Sequence, residues 1–200
     1  MLRKAIYDPS FWIIVSVNIF CIYYYQNHPE GFRSIVWIYW IQSVLIGLFN
    51  FLDLLTVKNP GYSSMTINDK PVDSSGRGKG CAALFFLFHY QFFHFVYAIF
   101  IAIQVKGMLD INFILLSVGA ILLELTISFI RNKQLQKNLQ IKYGSLFMMP
   151  YLRIIPMHLM ILLPSFFFFL LFIVFLILKL LADAGMYLVA QRLYSTPEKK

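Results

Sequence analysis

The chain reads as an all-α, polytopic bundle of transmembrane helices, five in number, or six if its last apolar segment divides. Three observations predict this. Of 200 residues, 60% are hydrophobic and only 13% charged, where a soluble domain of this size carries about a quarter charged. The apolar residues gather into runs of about 18 or more, the length that crosses a bilayer as a helix. Those runs also lack the alternation of a strand, and a sheet in lipid would have to close into a barrel. Residues 1–200 are therefore read as a single transmembrane domain.

The first segment, residues 10–25, lies within MLRKAIYDPSFWIIVSVNIFCIYYY. It has the basic start of a signal peptide but no small-x-small cleavage site, and Tyr23, Tyr24 and Tyr25 form an interfacial end, so a retained anchor helix is expected. Cys21 lacks the small residues that precede a lipidated cysteine. The second segment covers residues 34–57, the third 80–105 and the fourth 110–130. The fifth is unusually long, residues 150–182. No internal repeat of the kind that builds inverted-repeat transporters is present.

Lysine and arginine set the orientation. Arg3 and Lys4 precede the first segment, Lys58, Lys70, Arg77 and Lys79 lie in the connection 58–79, and Arg131, Lys133, Lys137 and Lys142 lie in the connection 131–149, with Arg153 counted on the same side. The other two connections hold Arg33 and Lys106. The excess places the N-terminus and both basic loops in the cytoplasm, where they face anionic lipid headgroups. Five spans then leave Lys179, Arg192, Lys199 and Lys200 on the wrong side. A split at Pro164 would correct that, but no polar turn interrupts MHLMILLPSFFFFLLF, so one long tilted or kinked helix over 150–182 is expected, with six spans as the alternative.

Several function classes are excluded. The formal charge of +8 is spent between apolar runs rather than on a nucleic-acid face. SSGRGKG lacks the spacing and the Ser or Thr of a phosphate loop. The serines fit no nucleophile elbow or Ser-x-x-Lys pattern. Cys21 and Cys81 fall at opposite ends of their helices and cannot pair.

What remains is a set of polar groups inside the apolar segments. At 1.5 Å per residue, Asp53 and His158 lie about 8 Å inside the cytoplasmic edge, Glu124 about 10 Å and His89 about 14 Å. Arg153 is expected at the cytoplasmic mouth, as an anion anchor. On the second segment Ser43, Gly47, Asn50 and Asp53 share a face, and on the fourth Ser117, Ala120, Glu124 and Ser128 do the same. Tyr90, His94 and Tyr97 share a face of the third segment, about 140° from His89. Ionisable side chains at such depth are costly unless paired or wet.

Three functions compete for them. The first is a site for a metal ion, a haem or a small anionic ligand, with His89, His158, Glu124 and Asp53 as ligands and Asn50, Tyr90, His94 and Tyr97 orienting them. The second is a membrane subunit or scaffold, with a membrane-protein partner, whose polar core only locks the helices; there Asp53 or Glu124 pairs with Arg153. The third is a small transporter or proton path. If a reaction occurs, His89 or His158 is the general base.

Taken together, HYQFFHFVYAIF, PYLRIIPMHLMIL and LKLLADAGMYL resemble an uncharacterised family of small bacterial integral membrane proteins. The resemblance covers the last three apolar segments. It implies a polytopic protein of the bacterial inner membrane with no established activity or cofactor, and it makes His89, Arg153, His158 and Asp183 motif positions. Where a further histidine is expected in the last motif, this chain has Tyr187.

Overall fold

The computed structural model describes residues 7–57, 60–61, 66–67, 70–71, 76–139, 141–155 and 168–194. Helix α1 (Pro9–Asn27) starts where Asp8 accepts a hydrogen bond from the Ser10 N–H at 3.0 Å. Pro9 takes the first helical position, where no amide donor is lost. A 3-10 turn at Pro29–Gly31 leads into α2 (Phe32–Thr56), and α3 (Gly76–Gln104) and α4 (Ile111–Leu135) follow.

Between α3 and α4 the chain turns at Gly107, whose φ is +128°. A Cβ there would come within 2.5 Å of the Glu30 carbonyl oxygen, which accepts the Met108 N–H at 2.9 Å. Only glycine suits that position. Asp110 then caps α4 by accepting the Phe113 N–H at 3.0 Å, and accepts the Tyr24 hydroxyl at 3.2 Å. Asp8, Asp53 and Arg131 consequently lie at one end of the bundle, with Tyr24, Gly107 and Asp110 at the other.

Helix α2 is the centre. It packs against α3 and α4, while α1 packs on α4. Ile35, Val36, Ile38 and Tyr39 of α2 are fully buried. The small-residue stripe of α2 faces inward. At Gly47 an added Cβ would lie 2.5 Å from the Tyr90 ring, so the missing side chain is what lets α3 approach. Phenylalanines cover the outer side of α3, with Phe88 73% exposed. Pro29–Thr56, Gly78–Gln104 and Ile111–Leu135 are long and apolar enough to cross a membrane.

In the connection after α2, the two-residue strand β1 (Pro60–Gly61) pairs in parallel with β4 (Ile141–Lys142), and β2 (Thr66–Ile67) pairs antiparallel with β3 (Lys70–Pro71). Beyond β4, α5 (Tyr143–Met148) and a 3-10 turn (Met149–Arg153) carry the chain into the bundle. The Tyr143 hydroxyl donates to the Lys79 carbonyl at 3.2 Å, and the Tyr39 hydroxyl donates to the Arg153 carbonyl at 3.1 Å. Tyr39 lies about 21 Å along α2 from Asp53.

Helix α6 (Phe168–Leu193) runs the other way. Its Phe175 meets the rings of Phe32 and Tyr39 edge-on, its Tyr187 hydroxyl donates to Asp8 at 2.7 Å, and its Tyr194 hydroxyl accepts from Gln136 at 3.1 Å. This corrects the single helix expected over 150–182. Arg153 and Asp183 form an ion pair thirty residues apart, whereas a straight helix would separate them by about 45 Å. The described limbs that carry them, Tyr143–Arg153 and α6, run in opposite directions. Pro164 and Pro156 lie outside the described residues.

Candidate ligand cavity

A cavity of about 350 Å³ lies among α1, α2, α4, α6 and the 3-10 turn before Arg153. Helix geometry assembles it. Gln42, Asn50 and Asp53 come from the buried face of α2, Glu124 and Ser128 from α4, and Asp183, Tyr187 and Gln191 from α6 at four-residue spacing. That spacing puts the last three on one face.

Arg153 and Asp183 on its inner wall belong to a buried charge network that continues behind it. Asp183 pairs with Arg153 and lies 3.3 Å from Lys179, and Asn18 bridges them, accepting from Lys179 at 2.8 Å and donating to Asp183 at 2.9 Å. Arg153 and Asp183 are each 2% exposed and Lys179 0%. The Arg153 guanidinium also lies 4.8 Å above the Tyr39 ring. Two cations, Arg153 and Lys179, share the Asp183 carboxylate. Arg153 thus sits deep in the bundle instead of at the mouth, because the segment leading to it climbs inward. Asn18 is about 15 Å along α1 from Asp8.

The outer rim pairs off differently. Arg131 donates to both oxygens of Asp8, at 2.5 and 2.6 Å. Burial alone would raise the Asp8 carboxyl, but hydrogen bonds from Tyr187, Arg131 and the Ser10 N–H outweigh it and hold its pKa below the ordinary aspartate value. Lys133 pairs with Asp53 at 2.6 Å, and Gln136 donates to the same carboxylate at 3.2 Å. Glu124 accepts the Ser128 hydroxyl at 2.7 Å and has no ion-pair partner among the described residues.

Among the described residues, eight buried side-chain atoms lack a hydrogen-bond partner, and five belong to side chains that line this cavity: Nε and Nη2 of Arg153, Nδ2 of Asn50, and Oε1 of Gln42 and Gln191. Each such group costs about 1–3 kcal/mol, more when charged. The arrangement can hold a group that accepts from Arg153 and Asn50.

The expected ligand set divides. Asp53, Glu124, Arg153 and Asn50 line the cavity. His89 does not, which corrects its placement in the cluster: depth alone was used, and depth does not fix rotation. Tyr90 and His94 form the buried face of α3, so His89 points outward, hydrogen-bonded to the Tyr151 hydroxyl at 2.9 Å and stacked on Phe85. His94 and Tyr97 meet Tyr90 in a separate cluster. His158 lies outside the described residues. Among the described residues no group of three His, Cys, Asp or Glu side chains is placed to hold a metal ion. Neither Asp53 nor Glu124 pairs with Arg153; Asp183 does.

Residues missed in the sequence are Asn18, Gln42, Lys179 and Gln191. Lys179 and Asp183 carry a readable signal, since opposite charges four apart on an apolar helix face one way.

Fold and cavity define a class: a helical bundle that includes three helices of membrane-crossing length and holds a cavity with polar, partly unsatisfied lining residues. The chain belongs to a family of unknown function (DUF6498), whose model matches residues 1–200. No curated protein and no solved structure matches it.

Proposed function

We propose that this is a multi-pass protein of the bacterial cytoplasmic membrane that binds a small ligand bearing an anionic group, with Arg153 as its anchor. One observation carries the reading. Arg153, 2% exposed, lines a cavity of about 350 Å³ and leaves two guanidinium nitrogens unpartnered, while sharing its one carboxylate, Asp183, with Lys179. Ligand sites of this size are typically apolar with a few convergent polar groups, and Ile46, Phe49, Leu125 and Phe129 supply the apolar part here. Asp53 and Glu124 remain site residues, but as acceptors rather than metal ligands.

The membrane setting is supported by the outward phenylalanines and leucines of α3 and α4 and by the basic residues Lys79, Arg131, Lys133 and Lys142 at the Asp8 end. That end is the cytoplasmic one by the positive-inside rule and meets anionic lipid there. The opposite directions of Tyr143–Arg153 and α6 are the support for six crossings, with the end of α6 beside the start of α1. A Ser195→Cys variant in a Cys81→Ser background is expected to label only from the cytoplasmic face; labelling from outside contradicts it.

Native mass spectrometry of the full chain, released gently from its membrane, tests the ligand. An added small anionic mass, displaced by millimolar carboxylate or phosphate, supports the site. Bare protein that no such anion stabilises favours a scaffold whose polar groups only lock helices.

A further inference from the structure

Building on that reading, we propose that the ligand is a zwitterion, a carboxylate and an ammonium on an apolar body, as in a large neutral amino acid. The cavity is unsatisfied in both senses. Arg153 and Asn50 offer unpartnered donors, which call for an anion. Glu124, Gln42 and Gln191 offer acceptors on the same cavity, the last two unpartnered.

Glu124 decides between an anion alone and a zwitterion. The other three carboxylates lining the cavity have cations: Asp8 has Arg131, Asp53 has Lys133, and Asp183 has Arg153 and Lys179. Among the described residues Glu124, 9% exposed, has no ion pair and accepts only the Ser128 hydroxyl, with the charges of Arg131 and Arg153 acting on it from farther off. A simple anion would satisfy Arg153 and set a second negative charge near Glu124. A ligand with an ammonium group gives Glu124 a cation in direct contact, which none of the described residues supplies, while its carboxylate takes the unpartnered guanidinium edge. Phe49, Leu125 and Phe129 are then left to cover an apolar side chain.

The test is isothermal titration of the full chain in detergent with three ligands that share one body: phenylalanine, 3-phenylpropionate and phenethylamine. The wild type is expected to bind phenylalanine about tenfold or more tightly than 3-phenylpropionate, the worth of one charge-assisted hydrogen bond, and phenethylamine least. In Glu124→Gln the phenylalanine advantage is expected to collapse to about twofold or less. Retained affinity for 3-phenylpropionate reports that the variant is folded. Equal affinity of the wild type for phenylalanine and 3-phenylpropionate overturns the zwitterion and leaves the anion site standing. Failure of both carboxylates to bind, with no anionic mass retained on the native protein, overturns both.

Discussion

Two polar clusters lie within this apolar bundle, and they resolve their polarity in opposite ways. In the first, His94 Nδ1 donates to the Tyr90 carbonyl at 2.9 Å, so its Nε2 accepts from the Ser43 hydroxyl at 2.8 Å. Ser43 in turn accepts the Tyr90 hydroxyl at 3.0 Å. The proton directions follow from this network, and each donor is used. A serine beside a histidine has the spacing of a nucleophile and its base. Yet Ser43 and Tyr90 are 0% exposed, His94 is 1% exposed, and none of the three lines the cavity, so no substrate reaches them. The second cluster, around Arg153 and Glu124, leaves donors and acceptors unmet beside open space. Closed satisfaction fits a structural lock, and the unmet groups of the cavity-lining side chains are the ones the proposed ligand would satisfy.

Asp183→Asn should have the largest effect, because it strands Arg153 and Lys179 together in the core. Breaking a buried pair in this way costs about 3–5 kcal/mol, measurable as a fall in unfolding midpoint in detergent. Next, Ser43→Ala and Gly47→Ala attack the closed cluster. The first leaves His94 Nε2 unpaired, at about 1–3 kcal/mol, and the second overpacks against Tyr90 by a similar amount. Both should lower stability while leaving ligand affinity unchanged; a change in affinity would break the division between the clusters.

Ala190→Phe should do the reverse. It fills the cavity without touching a charge, so it abolishes binding at little cost to stability, as paired titration and melting curves would show. The smallest effect belongs to the rim. The Asp8 carboxyl is held below its ordinary value of 3.8, so its contribution is fully present above about pH 5 and is lost as pH falls through 3.8 towards the depressed folded value. Asp8→Asn should flatten that acid limb of the melting-temperature profile.

Much of the fold was legible in the apolar runs. Helices α1 to α4 occupy the first four expected segments, and the Ser43, Gly47, Asn50, Asp53 stripe faces inward because a 3.6-residue period dictates which residues share a face. The opposite directions of Tyr143–Arg153 and α6 were not legible, since no polar turn separates the two limbs in the sequence. The site was half legible. Depth placed Asp53 and Glu124 beside one cavity, but depth carries no rotation, and His89 turned outward with Phe85 and Phe88. Lys179 was read as a flanking topological charge because its partner, Asn18 on α1, is remote in sequence.

The measurement that bears most directly on the central claim is a thermal-shift titration of the wild-type chain with 3-phenylpropionate and with its neutral amide. The account predicts that the carboxylate raises the melting temperature, that the amide does not, and that Ala190→Phe erases the difference. Equal response to both ligands, or to neither, would show that the free edge of Arg153 holds no anion.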